Sequence, residues 1–206
     1  MPRQNQDMDR SFLEKVAELF IENGAKTLTM DDIAREFGMS KKTLYQKYAT
    51  KEALLEDVLE YKLTEVIEKL NKMDMQVENA VDRMYCRDEE IEKAARSNNS
   101  VLIRQLLKYY PAIFNKHMMN FSERFTEVLV HNIERGREQG YYRTDFDAPL
   151  YASIYFQMVM SYDSSPFLDT AKTNSAEYSN VALNFYMNAI TTELGKQQLI
   201  KYNHIK

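Results

Sequence analysis

From Lys41 to Lys51 the chain carries four lysines (Lys41, Lys42, Lys47, Lys51) and no carboxylate, with Ser40, Thr43, Tyr45 and Tyr48 set among them. Ammonium groups at this density suit contact with phosphate. Lysine can also donate to guanine O6 and N7, and Ser or Thr hydroxyls can serve donor or acceptor base edges, so Ser40, Lys41, Lys42 and Thr43 suit direct readout of a duplex. Tyr45, Lys47, Tyr48 and Lys51 suit the flanking backbone. Taken alone, Lys41 or Lys42 reads equally well as part of a solvated face. What decides between the readings is the set of elements that holds these side chains.

Bond-making chemistry finds little support. Glu123, Glu127 and His131 fall at spacings of four on one helical face, a geometry that could bind metal, but beside Arg124, Arg135 and Arg137 they read better as a polar stripe. Cys86 is the single cysteine, so it cannot form an intramolecular disulfide or supply a zinc site by itself. There is no glycine-rich phosphate loop and no HExxH, and His117 and His204 have no partner legible in sequence. No catalytic residue, metal or cofactor is expected, and the chain is not read as an enzyme.

Apolar residues recur at three and four rather than at two, which predicts an all-α fold of about nine helices. A first helix is expected from an Asp9 cap to Gly24, burying Phe12, Leu13, Val16, Leu19 and Phe20. Thr29 caps the next, with Asp32 reaching back as in a capping box, and Ile33, Ala34 and Phe37 on its buried side. Gly38-Met39 makes a tight turn, and Ser40 restarts a short helix whose Leu44 and Tyr48 face inward, Tyr48 with its ring buried and its hydroxyl wet. Thr50 caps a longer helix with Leu54, Leu55, Val58, Leu59, Leu63, Val66, Ile67 and Leu70 on one stripe, followed by a linker-like polar patch at Asn71 to Gln76.

Beyond it, helices are expected around Val77 to Met84, from Val101 to Leu107 before Pro111, from Ala112 to Gln139 before Gly140, and over Ala148 to Tyr162 and Ser175 to Leu194, the last two separated by a Ser164-Ser165-Pro166 loop.

The run from Gly24 to Leu55, with Thr29-Met30-Asp31-Asp32-Ile33-Ala34-Arg35-Glu36-Phe37-Gly38-Met39-Ser40-Lys41-Lys42-Thr43-Leu44-Tyr45 at its heart, resembles the DNA-binding segment of the TetR family of bacterial regulators. The resemblance implies a helix-turn-helix domain over residues 1–52, continuing into a connecting helix 51–70, and an effector-binding and dimerisation domain over 53–206. It implies that Thr29, Tyr45 and Lys51 contact phosphates of double-stranded operator DNA and that Thr43 and its neighbours lie near bases. Lys42 departs from the family pattern, which usually has a small residue there.

In the larger domain the resemblance implies a pocket for a small-molecule effector, with Met84, Tyr85, Phe114, Met118, Phe121, Phe156 and Met160 as candidate lining, since methionine and aromatic side chains make adaptable apolar walls. Taken one at a time, these residues fit an ordinary core better. A homodimer built from the last two helices is also implied. Ile154, Met158, Tyr178, Val181, Phe185 and Ala189 could form its four-helix bundle or could equally fill a monomer's interior. The rival reading is an all-helical ligand-binding or protein-interaction module without specific DNA binding.

Net charge is −4, yet residues 1–51 carry nine basic and eight acidic side chains, and the remainder carries 18 and 23. Such a balance excludes a protein that coats nucleic acid everywhere but allows a local basic strip. No leader-like segment opens the chain and no apolar stretch is long enough to span a membrane, which predicts a cytoplasmic protein without a membrane partner.

Overall fold

Five glycines and four prolines leave long runs of good helix formers. The computed structural model describes residues 3–86, 99–165, 167–169 and 172–202, and its described residues are almost wholly helical, with one isolated antiparallel bridge between Tyr142 and Thr191. Among the described residues ten α-helices follow in order: α1 (Arg3–Asn23), α2 (Met30–Glu36), α3 (Lys41–Lys47), α4 (Lys51–Gln76), α5 (Ala80–Tyr85), α6 (Asn99–Tyr109), α7 (Pro111–Glu138), α8 (Ala148–Ser164), α9 (Ser175–Ile190) and α10 (Glu193–Leu199), with a 3₁₀ turn at Ile200–Tyr202. Among the described residues no helix is long and apolar enough to cross a membrane. Pro166 of the expected loop and His204 lie outside the described residues.

Four boundaries differ from the sequence expectation, each for a local reason. Helix α5 begins at Ala80 rather than near Val77, because Asn79 caps it by accepting from Val81 and Asp82 N–H. Helix α1 starts at Arg3 rather than at an Asp9 cap, since nothing between Arg3 and Met8 can stop a helix. Asn71 to Gln76 is not a linker but the last turns of α4, with Met73 and Asp74 buried. The closing helix expected to reach Leu194 breaks at Thr191-Thr192 into α9 and α10. There Thr192 N–H bonds to the Tyr141 carbonyl at 2.9 Å, and the Thr192 hydroxyl accepts from Gly195 N–H at 3.1 Å as the α10 cap. Glycine at 195 is required by this approach, because a Cβ would lie 2.2 Å from the Tyr141 carbonyl oxygen.

Packing groups the chain into two compact units, Met1–Val66 with Ser97–Phe121, and Ile67–Arg96 with Ser122–Lys206. The first unit therefore takes in α6 and the start of α7 as well as the N-terminal helices. Its core joins Val16 and Phe20 of α1, Ile33 of α2, Leu44 of α3, Leu54, Leu55 and Val58 of α4, Leu106 of α6 and Phe114 of α7. In the second unit one cluster is formed by Ala80, Val81, Tyr142, Leu183, Tyr186, Met187 and Ile190. Another is formed by Leu129, Ile133, Ala148 and Ala152. The Tyr142 hydroxyl donates to the Ala80 carbonyl at 2.8 Å, which satisfies the polar end of a fully buried ring.

Candidate nucleic-acid interface

Two short helices, α2 and α3, hold the candidate contact residues, and neither is long enough to persist without caps and a core. Thr29 caps α2 by accepting from Asp32 N–H at 3.2 Å, while Asp32 accepts from Thr29 N–H at 3.1 Å. This is the reciprocal capping box, made here with Asp in place of the longer Glu. Hydrogen bonds from the Thr29 side chain and then its backbone, with Arg35 adding to them, hold the Asp32 carboxyl below its usual range.

The turn after α2 is closed by Gly38 N–H to the Arg35 carbonyl at 3.1 Å and Met39 N–H to the Ala34 carbonyl at 2.9 Å, a Schellman pair. Gly38 supplies the φ of +59° that the motif needs, and no atom stands within 4 Å of where its Cβ would be. Glycine is there for the backbone conformation and not for space.

Ser40 then caps α3, accepting from Thr43 N–H at 3.1 Å, with the two hydroxyls 2.8 Å apart. One turn on, Leu44 is buried in the core. Ser40, Lys41, Lys42, Thr43, Tyr45 and Lys47 are all exposed around it, so a single apolar anchor presents the polar side chains outward. Tyr48 is placed otherwise: its ring is buried, stacked at 6.1 Å on Phe12. Lys47 lies over both rings, at 4.8 Å from Phe12 and 5.6 Å from Tyr48. Thr50 caps α4 by accepting from Ala53 N–H, and Lys51 Nζ donates to the Lys26 carbonyl at 3.2 Å. Partial burial lowers the Lys51 ammonium's pKa, against the opposing field of Glu52.

One neighbour was invisible in the local sequence. Asp31 of α2 forms an ion pair with Lys41, so the basic strip, free of acids along the chain, is met by a carboxylate in space. Lys42 has no such neighbour among the described residues. It is the more available of the two adjacent cations.

Of the residues expected to line an effector pocket, Phe114, Met118 and Phe121 fall in the first unit and Met84, Tyr85, Phe156 and Met160 in the second. Phe114 is buried in the first unit's core with Met118 packed against it, and Phe121 is buried in the same unit. In the second unit Met84 packs against both clusters, and Tyr85 stacks on Tyr202 at 4.1 Å and donates to Asn184 at 2.9 Å. Phe156 is buried 5.3 Å from Phe125, and Met160 is half-buried.

A cavity of about 300 Å³ in the second unit is lined by Ile67, Asn71 and Asp74 of α4 and by Arg124, Glu127, Val128 and His131 of α7. Five of its seven lining residues are polar or charged, beside Ile67 and Val128. Asp74 is buried and engaged by Arg135 at 2.8 Å, Arg83 at 3.4 Å and His131 Nδ1 at 2.8 Å. Two of the three residues read as a polar stripe, Glu127 and His131, thus border this cavity. Asn71 and Asp74 come from the segment expected to be a linker. His117 likewise has partners unseen in sequence: Glu60 lies 2.9 Å from its Nδ1, and Glu56 is 3.8 Å from its Nε2.

Of the candidate dimer residues, Ile154 on α8 and Val181 and Phe185 on α9 are exposed, as are Leu150 and Val159, which the sequence reading did not single out. Met158, Tyr178 and Ala189 are half-buried, and the Tyr178 hydroxyl meets that of Ser161 at 2.5 Å.

Residues 12–58 match the family model described as bacterial regulatory proteins, tetR family. Among solved structures, the reduced form of E. coli NemR is similar with a TM-score of 0.69 at 17% identity, over 88% of this chain and 96% of that one. SmeT, the repressor of the Stenotrophomonas maltophilia multidrug efflux pump SmeDEF, gives 0.67 at 14% identity over 89% and 91%. The transcriptional regulator FadR from Bacillus subtilis, solved with stearoyl-CoA, gives 0.59 at 16% identity over 85% and 96%. No curated protein matches significantly in sequence.

Proposed function

We propose that this chain, whose residues 12–58 match the tetR family model, is a homodimeric DNA-binding repressor of that family, released from a near-palindromic operator by a small-molecule effector. The observation that carries the reading is the capped, exposed start of α3 over the buried Leu44, which presents Ser40, Lys42, Thr43 and Tyr45 together. Two such helices in successive major grooves stand roughly 34 to 36 Å apart. Thr29 and Lys51 flank them on the phosphate backbone, and Lys41 joins in by exchanging Asp31 for DNA.

Dimerisation is supported by the exposed apolar side chains on α8 and α9, since Leu150, Ile154, Val181 and Phe185 gain nothing from water contact. The effector reading is supported by the cavity bordered by Asn71, Arg124 and Glu127, whose volume falls at the lower end for small-molecule sites. The charged side chains in its lining, Asp74, Arg124 and Glu127, suit a ligand that carries polar groups. Solved relatives include one with stearoyl-CoA bound and one that represses an efflux pump, which supports an effector-responsive repressor here as a class.

Selection of bound fragments from random duplexes, followed by a salt titration, tests the core of the proposal. A palindromic winner is expected, with affinity that falls steeply as salt rises and weakens in a Lys42→Ala, Tyr45→Phe variant. Failure to enrich any sequence, with residual binding indifferent to the variant, would overturn it.

A further inference from the structure

Outside the helix-turn-helix, two ammonium groups from distant parts of the first unit meet at one exposed phenol. Lys26, in the turn between α1 and α2, has its Nζ 4.4 Å from the centre of the Tyr109 ring, and Lys108 Nζ lies 5.2 Å from the same centre. Hydrogen bonding from Lys108, then the charges of both lysines, hold the Tyr109 hydroxyl below its ordinary pKa. Among the described residues neither ammonium has a carboxylate within salt-bridge distance, whereas Lys41 is held by Asp31. Glu52 is the acid that faces this region, opposite Lys51 and Tyr110.

The arrangement is held from below. Gln105 of α6 accepts from Lys26 N–H at 3.1 Å, the Tyr110 hydroxyl reaches the Ala25 carbonyl at 3.4 Å, and Lys51 Nζ fastens the Lys26 carbonyl from α4. A lysine in the last turn of α6 is explained by the helix dipole alone. Lys26 is not on that helix, and bringing it to the same ring gathers two like charges at one phenol, an arrangement that an anion bound there relieves. Lys26 also stands three residues before the Thr29 cap, and Lys51 is bound to its carbonyl, so the pair adjoins two residues placed on the phosphate backbone.

We infer that Lys26, Lys108 and Tyr109 form a second phosphate-contact site that extends the DNA interface onto α6, beyond the matched domain at residues 12–58. The inference rests on the DNA-binding reading above. Contacts of this kind carry affinity and register but no base preference.

The test is a salt titration of the full chain on its selected operator and on a random duplex, with wild type, a Lys26→Ala, Lys108→Ala variant and a Lys26→Arg, Lys108→Arg variant. Each lost phosphate contact removes about 0.9 from the slope of log affinity against log salt, on both duplexes. Between 50 and 200 mM salt that makes the wild type's affinity loss roughly threefold steeper per contact. The arginine variant is expected to keep the wild-type slope. An alanine variant with the wild-type slope, beside a Lys42→Ala control that flattens it, would overturn this site and leave the DNA reading standing. A wild type that binds neither duplex would overturn both. Melting temperatures of the variants, expected to match wild type at these exposed positions, separate a lost contact from a lost fold.

Discussion

Replacing Asp74 by Asn keeps the side chain's shape and removes the charge on which the second unit's buried cations depend. Asp74 is 7% exposed and Arg83 6%, and Arg135 makes a two-pronged contact with the same carboxylate at 2.8 and 3.4 Å while also donating to the Asp74 carbonyl. Burial already pushes the Arg83 pKa down, with Asp74 the leading influence that opposes it. Breaking one side of a buried pair costs about 3 to 5 kcal/mol, because the partner is left charged and dry. His131 is exposed and Arg135 partly so, which places the expected loss near the lower bound, about 3 kcal/mol. For a chain of this size such a loss lowers the melting temperature by roughly 6 to 12 °C. Thermal and urea unfolding followed by circular dichroism read it directly. Adding Arg83→Met to Asp74→Asn removes the orphaned cation and should recover a large part of the loss, an interaction that a double-mutant cycle isolates. If Asp74→Asn unfolds within about 1 kcal/mol of wild type, the network is not what fastens α4 to α5 and α7.

Gly38→Ala should cost about 1 kcal/mol through the positive φ alone, since the site has room for a methyl group, and Gly38→Asn should recover part of it in the same melt. Phe185→Glu, on the exposed face of α9, should convert a dimer to a monomer in sedimentation at micromolar concentration while leaving the helical circular dichroism unchanged. Asp32 has a depressed folded-state pKa, so its contribution to stability is complete above the unfolded value of about 3.9 and is lost as pH falls through the folded value. The stability gap between wild type and Asp32→Asn should therefore be constant at neutral pH and close below about pH 4, and a gap that widens on acidification would reverse the sign.

What could be seen in the sequence was whatever is decided within a few residues. Thr29, Ser40 and Thr50 announced their caps, Gly38 its turn, and the spacing of Leu44 within α3 its buried face, because capping and helical periodicity are local chemistry. The Asp31–Lys41 pair joins residues ten apart, across a turn whose closure no single stretch encodes. Asn71 to Gln76 looked like a linker because it is polar, yet Asp74 is polar for the sake of Arg83 and Arg135, and Arg135 lies 61 residues on. The second unit's cavity was hidden for the opposite reason. Methionine and aromatic residues at helical spacing fill cores and line pockets alike, and Phe114 and Met118 proved to pack in the core that supports the helix-turn-helix.

Helix α4 gives the proposed switch a physical form. Its first residue, Lys51, ties down the turn that carries Lys26 and leads into the Thr29 cap, and its last turns supply Asn71 and Asp74 to the cavity. No glycine or proline interrupts it from Lys51 to Gln76. On the proposed reading, a ligand that draws Asp74 away from Arg135 acts on the helix that also carries Lys51, the proposed phosphate contact. For this to release DNA, the ligand must bind the two positions of α4 with different affinity, since equal affinity shifts nothing however tight the binding. Reciprocity then requires operator DNA to weaken the ligand by the same factor that the ligand weakens DNA, which makes the Asp74 network and the Lys51 contact two readouts of one equilibrium.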